Sequence, residues 1–254
     1  MSNYVTVRVQ LKDSFKDTNL NASGATVFVC QAGTPVLATL YDQYLTALPN
    51  PVQLTSGLLL FQYDAALAGQ TAGLDFYGMT AGGHFFEYAL ATELAGIPQP
   101  LVNPSGPNEI KIFSNNKRYR MKIPFAIGNT GPAGVAAAAT EFKTGIKLPA
   151  TAFVLNNFHG TGILVNTAQS AKTIQVGILS TETGGAASGF INGSSLATAG
   201  QVAGTDGSFF STDAAYLTDT GGASPNGLDV SYTLSSGTTT ANGFALLAYQ
   251  LSSS

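Results

Sequence analysis

Catalysis needs side chains that move protons, attack carbon or phosphorus, or hold a metal. This chain offers few of them. It has two histidines, His84 and His159, and a single cysteine, Cys30. His84 follows Gly82-Gly83 and precedes Phe85-Phe86, while His159 sits in Asn157-Phe158-His159-Gly160. Neither falls in a His-Glu-x-x-His or comparable ligand spacing, so each reads as a loop or strand-end residue. A zinc site would have to draw its carboxylates from distant positions. Serines are plentiful, but no Gly-x-Ser-x-Gly nucleophile elbow is present. The stretch Gly189-Phe190-Ile191-Asn192-Gly193 reads as a turn. A phosphate-binding loop needs a helix start after its glycines, and no amphipathic helix follows a glycine cluster here.

Paired carboxylates are the chemistry that remains open. Asp206, Asp213 and Asp219 lie near Phe209, Phe210 and Tyr216. Acids beside stacking rings are what a glycan hydrolase uses, although tryptophan is absent altogether. Calcium ligation by Asp206 and Asp219 would call for an Asp-x-Asx-x-Asx-Gly spacing, which is missing. Turn formation accounts for an Asp before Gly more simply. The expectation is a protein that is not an enzyme, with no catalytic residues, no metal and no cofactor.

The elements that would position any site are strands. Period-two alternation dominates, as in Tyr4-Val5-Thr6-Val7-Arg8-Val9-Gln10-Leu11, which puts Val5, Val7, Val9 and Leu11 on one face. Further strands are expected over residues 24–30, 36–41, 58–63, 74–77, 85–90, 109–113 and 119–127. Leu48-Pro49-Asn50-Pro51 cannot sit inside a central strand, because each proline lacks a donor. Residues 94–107 carry four prolines and read as an irregular loop. The second half continues with strands over 142–147, 152–158, 162–167, 172–180, 196–203, 209–217, 228–235 and 243–251. Gly184-Gly185, Asn192-Gly193, Asp206-Gly207, Gly221-Gly222, Asn226-Gly227 and Asn242-Gly243 punctuate them as turns.

Short strands at this spacing indicate an all-β chain of sandwich or jelly-roll type. The length of 254 residues accommodates two domains. Composition shifts abruptly at Gly128-Asn129-Thr130-Gly131-Pro132-Ala133-Gly134-Val135-Ala136, so residues 1–127 read as an N-terminal sandwich, 128–140 as a linker and 141–254 as a C-terminal sandwich. The linker also contains three Gly-X-Y triplets, too few to hold a collagen helix alone.

Charge narrows the partners. Charged residues are 10% of the chain, against about 25% in an average soluble protein. Net charge is −3, and the basic residues gather in one cluster, Lys117-Arg118-Tyr119-Arg120-Met121-Lys122. Alternation puts Arg118, Arg120 and Lys122 on one strand face and Tyr119, Met121 and Ile123 on the other. That stripe is read as solvated or partner-facing rather than phosphate-tracking, so no nucleic-acid partner is expected. Residues 130–254 hold three basic residues (Lys143, Lys147, Lys172) and six acidic ones. So few charges imply that much of the second domain is covered by copies of itself or by a partner. Cys30, in Thr26-Val27-Phe28-Val29-Cys30, reads as a buried small hydrophobe and leaves no intrachain disulfide possible. The start of the chain shows no secretory signal, and no run nears the roughly 18 apolar residues of a membrane helix. The expectation is a protein made in a cytoplasm, without a membrane partner.

Two groups of segments resemble virion proteins of tailed bacteriophages. Gly24-Ala25-Thr26-Val27-Phe28-Val29, Leu37-Ala38-Thr39-Leu40-Tyr41, Asn50-Pro51-Val52 and Gly57 before an apolar strand resemble the immunoglobulin- or prealbumin-like modules that recur in them. Val165-Asn166-Thr167-Ala168, Thr173-Ile174-Gln175-Val176-Gly177-Ile178-Leu179-Ser180-Thr181-Glu182 and Ser195-Leu196-Ala197-Thr198-Ala199-Gly200 are similar to head-decoration and other virion surface proteins, with a jelly-roll-like second domain. The resemblance implies a capsid decoration (cement) protein, assembled in the host cytoplasm into the virion. It would bind the major capsid protein or other virion proteins and associate with copies of itself, a homotrimer being favoured. A tail or fibre component that binds a host glycan or receptor is the alternative. The resemblance carries no catalytic residues.

Overall fold

The computed structural model describes residues 2–13, 24–80, 85–91, 108–112, 118–148, 152–210, 215–217 and 227–251. The chain is nearly all β and divides into two compact units, Met1–Asn116 and Lys117–Ser254.

The first unit contains β1 (Tyr4–Asp13), β2 (Thr26–Gln31), β3 (Leu40–Tyr41), β4 (Ala47–Leu48), β5 (Val52–Gln53), β6 (Leu58–Asp64), β7 (Gly73–Met79), β8 (Phe85–Ala91) and β9 (Asn108–Ile112). They form two sheets, ordered β4-β3-β6-β1-β9 and β5-β2-β7-β8. All pairs are antiparallel except β1 with β9. Alternation does the packing. Val7 and Val9 of β1 and Leu59, Phe61 and Tyr63 of β6 turn inward from one sheet, and Val27, Val29, Leu74 and Phe76 turn inward from the other. The rings of Phe61 and Phe76 meet across this core, 6.1 Å apart. Cys30, on the opposite face of β2 from Val27 and Val29, is also buried, and burial pushes its thiol pKa well up. The proline-rich stretch falls between β4 and β5, as its missing donors require. Its Asn50 is buried, donates to the Val29 and Ala38 carbonyls and accepts the Val29 N–H.

The second unit contains β10 (Arg118–Phe125), β11 (Thr130–Gly131), β12 (Gly134–Val135), β13 (Glu141–Leu148), β14 (Ala152–Leu155), β15 (Gly162–Thr167), β16 (Thr173–Ile178), β17 (Ala186–Ser195), β18 (Gly200–Ala203), β19 (Ala215–Leu217), β20 (Leu228–Leu234) and β21 (Asn242–Leu251). One sheet runs β18-β15-β21-β14-β19, with β10 also paired to β21, and the other runs β13-β20-β16-β17. Tyr249 of β21 lies opposite both Tyr119 and Val154, and Leu246 opposite both Lys122 and Gly162. A strand has only two edges, so β10 takes one edge of β21 and β14 and β15 share the other, end to end. Tyr232 bridges the two sheets, packing on Phe125 and Phe142 and donating its hydroxyl to the Ala126 carbonyl at 3.3 Å.

Several features differ from the sequence reading. Arg118–Phe125, assigned there to the first domain, is a strand of the second unit. Its partner lies more than a hundred residues downstream, where no local pattern points. The expected linker is likewise part of the second unit. Its glycine triplets form the β11–β12 hairpin, closed by Gly128 N–H to the Ala136 carbonyl, and Ala139 N–H reaches the Leu234 carbonyl. Asn192-Gly193 is not a turn but lies inside the ten-residue β17, where Gly193 has φ 71° and the register against β16 shifts. The extra residue makes a bulge, which uses the same left-handed glycine as a tight turn. The strand expected over 152–158 ends at Leu155, and only Leu40–Tyr41 of 36–41 is a strand, with Leu37 bridged to Cys30.

Moving the boundary changes the charge argument. Lys117, Arg118, Arg120 and Lys122 pass to the second unit, which then has seven basic and six acidic residues against four and eight in the first. Both units are equally poor in charge. The imbalance that set the second apart came from where the chain was divided.

Candidate functional site

The most exposed large apolar side chain among the described residues is Phe158, at 87%. It stands on a 3₁₀ turn, Asn157–His159, that connects β14 to β15. Two strands that share one edge of β21 leave a gap between them, and the turn crosses that gap. The Thr161 hydroxyl fills it, donating to the Leu155 carbonyl and accepting the Ala248 N–H at 3.1 Å. Ala248 lies between the segments of β21 paired with β15 and β14, so its N–H would otherwise be buried without a partner.

The turn is tied down from several sides. His159 N–H and Thr161 N–H both reach the Asn156 carbonyl, and Gly160 N–H reaches that of Asn157. Asp206 Oδ1 accepts the Asn157 N–H at 2.9 Å, and Asn157 Nδ2 donates to the Gly204 carbonyl at 2.7 Å. Gly160 has φ 110°, a left-handed conformation that glycine adopts freely, and a Cβ there would come within 2.8 Å of the Arg120 guanidinium. The His159 ring is held by Asn156 Oδ1 at 2.8 Å and meets the Phe158 ring edge-on. The result is a projecting aromatic ring on a braced turn, with His159, Asn156 and Arg120 beside it.

A second apolar tip closes the β3–β4 hairpin of the first unit. Tyr44 is 79% exposed and Leu45 47%. Asp42 Oδ1 accepts both the Tyr44 and Thr46 N–H groups at 2.8 Å. Leu45 holds φ 63°, a left-handed conformation that costs a branched side chain about 1 kcal/mol.

The residues weighed for chemistry fare differently. Asp206 faces a backbone N–H and helps hold the turn. Asp213, Asp219 and His84 lie outside the described residues. Among the described residues, no three His, Cys, Asp or Glu side chains group so as to hold a metal ion. On β10 the alternation holds: Met121 and Ile123 are buried and Arg120 is exposed. Phe158 and Tyr44 were not singled out from sequence, because an aromatic in a polar loop gives no sign of which way it points. Also unforeseen is a polar cluster at the β13–β20 seam. Asp229, 3% exposed, meets Lys143 Nζ at 2.6 Å and Lys147 Nζ at 3.6 Å, and Glu182 Oε2 accepts the Asp229 N–H at 3.0 Å. Burial and the neighbouring Asp229 carboxylate raise the Glu182 pKa.

No protein-family model matches the chain, and neither curated proteins nor solved structures include a significant match.

Proposed function

We propose that this chain is a structural virion protein that decorates and cements the head of a tailed bacteriophage, acting by binding rather than catalysis. The observation that carries the binding role is the projecting Phe158 on its braced turn. An anchor ordered before its partner arrives loses little freedom on docking. Buried aromatic anchors also supply most of the energy of typical interfaces. The virion assignment rests on the resemblance of the segments quoted above, and two charge-poor β units suit a surface that meets other protein. The partners are the major capsid protein or other virion proteins, together with copies of the chain in a trimer. Added to empty phage heads, the protein should bind and raise their melting temperature by mass action. Phe158→Ala should weaken that gain at least tenfold in the concentration required. Heads that neither bind the protein nor melt higher would sink the proposal.

A second reading, a tail or fibre component recognising a host glycan, draws on the same tip. A flat ring flanked by the side chains of Asn156 and His159 combines stacking with hydrogen bonding, as sugar recognition requires. Saturable binding on a carbohydrate array, lost in Phe158→Ala, would favour it over the cement role.

A further inference from the structure

We propose that Lys143 and Asp229 condense into an intramolecular amide that covalently staples β13 to β20, with Glu182 carrying the protons. Strand register brings the groups together. Lys143 pairs with Ser231 and Lys147 with Asp229, so five residues of β13 face three of β20. The bulge between them, with Gly145 at φ 82°, crowds both lysines onto one carboxylate. Lys143 Nζ is 2.6 Å from Asp229 Oδ2.

Three observations separate this cluster from an ordinary surface ion pair. First, Asp229 is the one Asp, Glu, Lys or Arg that is buried among the residues whose burial is described. Second, its Oδ1 is buried with no donor of its own. Third, a second acid stands beside it. Glu182 Oε2 accepts the Asp229 N–H, which sets the two carboxyl groups side by side, and burial together with the Asp229 carboxylate raises the Glu182 pKa. The only other acid on the neighbouring stretch of β13, Glu141, is engaged by the Ser180 and Ser231 hydroxyls.

The chemistry balances without an oxidant or a co-reactant. The Lys143 ammonium passes one proton to the Asp229 carboxylate, and the neutral amine attacks Asp229 Cγ, so that a C–N bond forms. The protonated Glu182 carboxyl donates to the departing hydroxyl, the C–O bond breaks, water leaves, and Glu182 takes back a proton from the new amide nitrogen. Of the three ammonium protons, one stays on the amide nitrogen and two leave with the oxygen. Lys147 Nζ, 3.6 Å from the same carboxylate, stabilises the oxyanion as it forms. Holding amine and carboxyl on paired strands makes the step intramolecular, where effective molarities reach roughly 10⁵–10⁸ M.

Intact-mass spectrometry of the full chain tests this. The expected mass is one water below that of the sequence, and a protease digest should yield a branched peptide joining the segments that contain Lys143 and Asp229. Lys143→Arg keeps the positive charge and should restore the full mass. Lys147→Arg should leave the loss in place. Glu182→Gln, shown folded by gel filtration and circular dichroism, should also carry the full mass. A wild-type chain at full mass overturns the proposal, as does a lost water mapped elsewhere, for instance to a cyclised Asp206-Gly207. Full condensation in Lys143→Arg would overturn the assignment to Lys143, and full condensation in Glu182→Gln the role given to Glu182.

Discussion

The two units bury their polar groups in different ways. In the first, neutral amides do the work. Asn50 ties β2 to the segment before β3, and Gln70 links the Asp64 carbonyl to the Thr39 N–H. In the second, hydroxyls and carboxylates take that place: Thr161 at the gap beside β21, Thr144 on the Val230 carbonyl, and Asp229 with its lysines and Glu182. An amide offers donors and an acceptor at any pH. A carboxylate pair changes with pH and can react. The first unit is therefore stitched in a fixed way, and the second carries groups whose state depends on solution conditions.

The largest expected effect breaks the amide side of the comparison. Asn50→Ala removes the Asn50 partners of the Val29 N–H and the Ala38 carbonyl in a buried site, while the Val29 carbonyl keeps the Ala38 N–H, at a cost of about 3 kcal/mol in chemical denaturation. Faster hydrogen exchange should appear in β2 and β7 and not in β20. Thr161→Val, nearly the same shape, removes the donor to Leu155 and the acceptor for Ala248. It should cost about 2 kcal/mol and loosen β14, β15 and the Phe158 turn together.

The next effect is the pH response of the Glu182 cluster in the second unit. The Glu182 pKa is raised in the folded state, so the fold binds that proton more tightly than the unfolded chain does. The resulting stability is fully present below the ordinary glutamate value and is lost as pH rises through the folded value. In Lys143→Arg, where the Asp229 carboxyl stays free, hydrogen exchange of β20 should quicken over that window, and adding Glu182→Gln should flatten the response. Exchange in the first unit's β2 should not follow it. The smallest effect is on Phe158 itself. Phe158→Ala should change stability by no more than about 0.5 kcal/mol, since an exposed side chain gives up little packing. A large loss of stability would mean that Phe158 is a packing residue and not a docking one.

Much of the strand content was legible because a half-buried strand writes its pattern locally. Val7 and Val9 inward, and Met121 and Ile123 buried with Arg120 outward, follow from alternation alone. The errors fall where one local signal serves two structures. Asn192-Gly193 suits a turn and a bulge equally, and the glycine-rich 128–136 suits a linker and a tight hairpin equally. Phe158 and Asp229 gave no warning, because exposure and burial of single residues between strands depend on what the fold lays over them.

By itself, the sequence determined that this is an all-β protein of two sandwich-type units, and which faces of its strands are apolar. Side-chain alternation over a few residues is enough for that. Only the tertiary structure decided that Arg118–Phe125 pairs with β21, and so where the units divide and how charge is shared between them. It also decided that Lys143, Lys147, Glu182 and Asp229 meet at one point. Those choices depend on pairing between segments far apart in the chain, where register and bulges are set by the packing of whole sheets.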